Sequence, residues 1–279
     1  MKIGILADCF GLGFEMGIKK AAEMKVDGVQ LYAVEGELAP ENMSAEKRAW
    51  AKALIEENGL VISAICGDLG DGGFAFEDRN EGKIAYTKQI VDLALDLGCR
   101  IITTHIGVVP EDENHPRFAV IAKALKELGD YAHARGARFA IETGPETAVT
   151  LCKMLDYVNS PGIGVNLDPA NLIMSTKDDP VAAVHTLKNY IVHTHAKDGV
   201  FYKMTDLEIS YGMKPWPEDY SEDDCYAEVP LGEGQVPWDG YIAALKEIGF
   251  DGYLTIEREC GEDPAHDIQL AIDFLKKYV

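Results

Sequence analysis

Residues 138–168 read RFAIETGPETAVTLCKMLDYVNSPGIGVNLD: two short β-branched runs enclose a stretch, 146 to 158, whose apolar residues recur at three-to-four spacing. The first run ends in Glu142 and the second in Asp168. A strand, a helix and a second strand in so short a segment make one parallel βαβ unit, with a carboxylate at the exit of each strand.

The same unit repeats outward in both directions. Strand-like runs appear at IGILAD, GVQLYAV, LVISAIC and RIITTHIG before it and at YIVHTH and YLTIERE after it, eight runs in all. Helical spacing fills the intervals at 15–25, 44–58, 81–97, 117–135, 146–158, 180–189 and 239–248, with a last stretch at 264–278. Gly59, Gly98, Gly136 and Gly249 stand where a helix must end in a left-handed residue, and Asp179-Pro180 is an N-cap followed by a first-turn proline. Eight alternations in 279 residues predict a (β/α)₈ TIM barrel, one domain over 1–279, with its site at the C-terminal ends of the strands. A doubly wound sheet would place a glycine-rich phosphate turn after the first strand, and GLGFEMG at 11–17 matches GxGxxG poorly. The longest excursion, about 199–237, is mostly acidic and interleaves Tyr211, Trp216, Tyr220 and Tyr226; it reads equally as a lid or as a solvated surface loop.

The formal charge of -21, from 47 acidic against 26 basic residues, opposes nucleic acid and anionic membrane surfaces as partners, since both call for clustered Lys and Arg. No apolar run approaches the ~20 residues of a membrane helix, and the opening MKIGILADCF reads as a strand, so a cytoplasmic location is expected. The six cysteines are scattered without a CxxC and read as reduced thiols. A homo-oligomer is left open.

Four strand exits carry metal-binding residues: Glu142 after FAI, Asp168 after VNL, His195 after VHT and Glu257 after TI. Alternation along a strand puts Glu142 on the face of Ala140, Asp168 on that of Asn166, His195 on that of His193 and Glu257 on that of Thr255. Singly, a carboxylate at a strand end is more often a cap or a surface charge. Three carboxylates and one imidazole in barrel register are instead an oxygen-rich set suited to a divalent cation.

The segments ETGPET from Glu142, NLDPANLI from Asn166, HTHAKDG from His193, VPLGEG from Val229 and TIERE from Thr255 resemble, in order and over essentially the whole chain, the xylose-isomerase-like sugar phosphate isomerase/epimerase superfamily. The resemblance implies one divalent ion, manganese first and magnesium, cobalt or zinc as alternatives, on Glu142, Asp168, His195 and Glu257. It implies a sugar isomerase or epimerase working through an enediolate, with Glu142 and Glu257 as catalytic acid and base. The same enolate chemistry also serves a lyase or dehydratase acting on an inosose or a 3-keto-glycoside. His105, Lys197, Asn171 and Glu146 are the substrate-side candidates, Asp198, Asp8, Gln30 and Tyr32 weaker ones; relatives carry a histidine at the position of Asn171. Cys66 reads as a packing residue, and the glycines at 67, 70, 72 and 73 as a flexible loop. A DNA-cleaving three-zinc branch of the superfamily needs more ligands and a basic face than this chain has.

Overall fold

The computed structural model describes residues Met1–Val279. Ten strands form: β1 (Lys2–Leu6), β2 (Gly28–Tyr32), β3 (Val61–Cys66), β4 (Ile101–Thr104), β5 (Arg138–Glu142), β6 (Ile163–Leu167), β7 (Ile191–Ala196), β8 (Asp198–Phe201), β9 (Tyr226–Val229) and β10 (Tyr253–Ile256). Eight are parallel and close into a barrel in the order β1-β10-β7-β6-β5-β4-β3-β2, the arrangement expected of a (β/α)₈ chain. The remaining pair, β8 and β9, is an antiparallel hairpin outside the barrel, in register from Asp198 opposite Val229 to Phe201 opposite Tyr226. It is built from the ends of the 199–237 excursion. No helix is long and apolar enough to cross a membrane.

Eight helices lie where the periodicity places them, with ends moved by capping. The stretch read from 146 begins at Ala148, because the Thr147 hydroxyl accepts from the Thr150 amide and starts the helix there, leaving Glu146 in the loop. The Asp179 carboxylate likewise accepts from the Val181 amide and opens Pro180–Leu187. Gly59, Gly98, Gly136 and Gly249 all take positive φ at helix ends. Each helix turns a buried stripe inward. Pro116–Ala134, for instance, buries Phe118, Ile121, Leu125 and Leu128, each worth roughly 2 kcal/mol when withdrawn from water. Elements beyond the eight βα repeats include the β8–β9 hairpin, the single turn Pro169–Asn171, which continues into a π-helical turn at Leu172–Thr176, and the short helix Leu207–Ser210 within the excursion.

The strand-three loop is tied down where flexibility was expected. Lys83 donates to the carbonyls of Gly70 at 2.7 Å and Gly73 at 2.8 Å, and the Phe74 amide donates to Ile106 at 3.0 Å. Gly73 has φ of +58°, and a Cβ there would collide with the Ile106–Gly107 peptide, so its glycine serves conformation and close approach.

Inside the barrel, the upper layers are polar. Ser63, Gln30, Thr103, Asn166, His193, His195 and Thr255 are all buried, where a barrel interior of this class is mostly branched aliphatic. Every one of them is hydrogen-bonded, which is the condition for burying such groups at tolerable cost.

Candidate metal centre

Glu142 closes β5, Asp168 follows β6, His195 lies near the end of β7 and Glu257 follows β10. One ligand atom from each of the four lies within 4.8 Å of the others, and all four residues are buried. His195 Nδ1 sits at the middle, 3.0 Å from Glu257 Oε2, 3.3 Å from Glu142 Oε1 and 3.4 Å from Asp168 Oδ2.

The carboxylates are aimed by their neighbours. Asp168 is the N-cap of the Pro169–Asn171 turn: Oδ1 accepts from the amides of Ala170 at 2.8 Å and Asn171 at 3.0 Å, while Oδ2 is left buried without a hydrogen bond. Thr143, which the sequence reading passed over, locks the same residue from the adjacent strand by accepting from the Asp168 amide at 2.8 Å and donating to its carbonyl at 2.9 Å. Glu142 is held at both oxygens, Oε1 by the Asn171 side-chain amide and Oε2 by that of Asn166, each at 3.1 Å. Lys197 Nζ lies 2.7 Å from Glu257 Oε2 and pairs its charge. Asp168 Oδ2, buried without a hydrogen bond, converges with the carboxylates of Glu142 and Glu257 and with an imidazole, a donor set that a divalent cation fits.

Gln30, a weak substrate-side candidate from sequence, sits beneath the centre instead. Its Oε1 lies 2.9 Å from His195 Nε2, and its own amide donates to Thr103 Oγ1 at 3.0 Å. His195 Nε2 also lies 3.1 Å from the Asn166 side-chain amide; with Gln30 Oε1 as its acceptor, Nε2 is the protonated nitrogen and Nδ1 is left facing the carboxylates, the arrangement of a metal-ligating histidine. His193 is buried in the layer below, its Nδ1 2.9 Å from Asn166 Oδ1 and its Nε2 3.0 Å from Thr255 Oγ1. Burial and the neighbouring His195 hold His193 well below the usual imidazole range. Burial would also lower His195, but the charges of Glu257 and Glu142 outweigh it and hold this ring well above that range. In Glu257 burial raises the carboxyl, and His195 and Lys197 together overcome it and hold it well below its ordinary value.

Above the centre opens a cavity of about 360 Å³. His105, Asn171 and Lys197 line it together with Glu142 and Glu257, as do Tyr32 and Cys66. His105 reaches Asp68 at 2.9 Å and Glu142 at 3.7 Å; despite its burial, these carboxylates push its pKa up to about 10. Burial pushes the Cys66 thiol up, so it is a neutral wall residue. Glu146 does not line the cavity. It is buried with both carboxylate oxygens unpartnered, and desolvation pushes its pKa up to about 8 against the pull of His105 and of the Val109 backbone. Asp198 also points elsewhere: it gathers the amides of Gly199, Gly232 and Val236 and the Trp238 indole N–H, knotting the start of the excursion to its end.

The excursion supplies one wall of the mouth. Tyr211 and Tyr226 line it; the Tyr211 ring lies 5.4 Å from that of His105, and its hydroxyl is 3.2 Å from Ser175 Oγ. Trp216 and Tyr220 pack edge-on against each other and do not reach the cavity. Glu228 on β9 accepts from the Arg258 guanidinium at 2.6 Å and from the Glu259 amide at 3.1 Å, fastening the hairpin to the segment after β10.

The family model of the xylose isomerase-like TIM barrel matches residues 18–278. L-ribulose-5-phosphate 3-epimerase UlaE of Escherichia coli is 25% identical over 278 residues, 95% of this chain and 85% of its own length. Inosose dehydratase of Lacticaseibacillus casei is 25% identical over 169 residues, 57% of this chain and 52% of that protein. Among solved structures, the xylose isomerase domain protein of Planctomyces limnophilus superposes with a TM-score of 0.81 at 27% identity, over 99% of this chain and 96% of that one. A D-psicose 3-epimerase solved in the presence of D-fructose shares the fold, with a TM-score of 0.74 at 17% identity over 100% and 99% of the two chains.

Proposed function

The chain belongs to the xylose isomerase-like TIM-barrel family, and from that membership we propose that it is a divalent-metal-dependent sugar isomerase or epimerase acting through an enediolate of its substrate. The observation that carries the reading is the convergence of Asp168 Oδ2, buried without a hydrogen bond, with Glu257, Glu142 and His195 Nδ1 beneath an open cavity.

A divalent ion held by Glu142, Asp168, His195 and Glu257, manganese first by its taste for oxygen donors, would polarise a sugar carbonyl and stabilise the charge of an enediolate. Glu142 and Glu257 both border the cavity and serve as the acid–base pair: one takes the proton from the carbon beside the carbonyl and the other returns one. Lys197, 2.7 Å from Glu257 Oε2, favours the ionised form of that carboxylate, the form that accepts a proton. Asn171 holds Glu142 through Oε1 and turns the same residue's carboxylate toward the cavity. His105 and Lys197, both cationic, present N–H groups to substrate oxygens. Glu146, uncharged below about pH 8, backs His105 from behind the wall.

The similarity to inosose dehydratase supports a second reading, a lyase or dehydratase for an inosose or a 3-keto-glycoside. There His105 or Lys197 would protonate the departing oxygen after the same first step. Turnover of a ketose, inosose and keto-glycoside panel in deuterated water separates the two. An isomer of unchanged composition, apart from deuterium at the reacting carbon, is the expected product. An unsaturated product, or release of water or an aglycone, would remove the isomerase and leave the enolate chemistry.

A further inference from the structure

The walls of the mouth specify the charge of what enters it, given the reading above that a sugar binds over the four-residue centre. We infer that the substrate is a neutral polyhydroxy carbonyl compound and not a phosphate ester. Asp68, Glu222, Asp223, Glu228 and Glu259 line the cavity in addition to Glu142 and Glu257, against a single lysine and a single histidine. Both charges are already paired with carboxylates, and His105 Nε2 is the N–H left to donate to a substrate oxygen. Lys197 Nζ is 2.7 Å from Glu257 and 2.8 Å from Glu259, and His105 Nδ1 is 2.9 Å from Asp68.

A phosphate dianion is held by guanidinium or ammonium groups or by a nest of backbone amides, and in barrels of this class the usual place is the loops after the seventh and eighth barrel strands. Here those loops bring Glu228 and Glu259 to the mouth. Arg258, the guanidinium nearest by sequence, is turned into ion pairs with Glu228 at 2.6 Å and Asp267 at 2.8 Å and does not line the cavity. Lys214 is paired with Asp206 and Glu208, Arg117 with Glu208, and Lys177 and Lys203 lie over the rings of Phe201 and Tyr220; none of them lines the cavity.

A longer substrate finds no cation either. The adjoining cavity of about 390 Å³, which shares Tyr32 with the mouth, is lined by Asp8, Glu35 and Glu37 and by no lysine or arginine. A divalent ion at the centre cancels two charges and leaves the wall negative. Within a cleft, such a one-signed wall focuses its field and repels a dianion while leaving hydroxyls free to bind carboxylates.

The test is calorimetric binding to the manganese-loaded protein of D-fructose, D-psicose and D-tagatose, each beside its terminal phosphate ester. At least one neutral ketose should bind, and its ester should bind at least about tenfold more weakly at low salt, with the gap narrowing as ionic strength rises. The rim double variant Glu222→Gln, Asp223→Asn should narrow that gap about threefold without changing manganese uptake. An ester that binds as tightly as its parent, or the failure of every neutral ketose to bind, overturns the inference; turnover of such an ester would leave the metal–enolate reading intact. Failure to take up manganese removes that reading instead. Inorganic phosphate then decides the charge question on the metal-free protein: binding at millimolar concentration overturns the inference, and its absence supports it.

Discussion

At the scale of single residues, Gln30 and the two histidines of β7 give the sharpest expectations. Gln30 Oε1 lies 2.9 Å from His195 Nε2 and orients the ring, so Gln30→Ala should weaken manganese binding by roughly 10-fold or more, as removal of a ligand-orienting partner generally does. Competitive titration against a fluorescent chelator measures it, and unchanged affinity would mean the ring holds its orientation unaided. His195→Ala should abolish tight binding. His193→Ala should chiefly destabilise the barrel, leaving Asn166 and Thr255 short of a partner at a cost of about 1–3 kcal/mol each at most. Equal losses of metal in the two variants would contradict this division. Glu146 sets a pH dependence of its own. Its folded pKa, about 8, lies above the ordinary value of 4.5, so between these values the folded chain keeps a proton that the unfolded chain has released. The stability tied to that proton is full below about pH 4.5, falls as pH rises, and is lost above about 8. Glu146→Gln should therefore melt with the parent in acid and increasingly above it toward pH 8, by up to a few kcal/mol. A difference that stays flat across this range would show that the carboxyl finds a partner when it ionises.

At the scale of elements, the site is a product of strand ends. Four barrel strands each deliver one side chain to the centre, and short devices aim two of the carboxylates: the Asp168 cap with the Thr143 lock, and Asn166 and Asn171 on Glu142. The excursion adds a wall in two parts. Its hairpin, β8 with β9, is fastened by the Asp198 knot and by Glu228 to Arg258, whereas the segment between the two strands contributes Tyr211. We expect replacement of residues 203–223 by a short linker, with the hairpin kept, to reduce both turnover and substrate affinity while manganese binding stays within about threefold, because no proposed ligand lies in the deleted stretch. Parent-like kinetics would return the segment to the status of a surface loop.

At the scale of the whole molecule, the centre ties four strands of one closed barrel together, so occupancy should be felt as global stability. Manganese at about 100 times its dissociation constant should contribute roughly 2.7 kcal/mol, since a cation that needs four converged ligands binds the folded chain far better than the unfolded one. Calorimetric melting with manganese and after chelation checks this: a rise of several degrees is expected at ~2–4 °C per kcal/mol for a chain of this size. Coincident melting curves would argue against a cation at this place.

Alternation of β-branched runs with three-to-four apolar spacing, and a polar residue at the end of particular runs, are local properties of the chain. From them alone the eight-fold βα order, the strand exits at Glu142, Asp168, His195 and Glu257, and the glycine-ended helices could be read. Distances between exits could not, because β10 joins β7 and β1 only when the sheet closes, and closure is a long-range event with no signal in any one segment. The same holds for every contact made across the barrel. Gln30 reaches His195 over 165 positions of sequence, Thr143 locks Asp168 from the neighbouring strand, and Asp198 is drawn from the mouth into the excursion by four donors that lie up to 40 residues away. Nor could the acidity of the mouth be separated from the overall charge of -21 until the hairpin brought Glu228 beside Glu259. Periodicity is written residue by residue and survives in the unfolded chain. Tautomer, carboxylate aim and the field inside a cleft exist only between residues that folding has brought together.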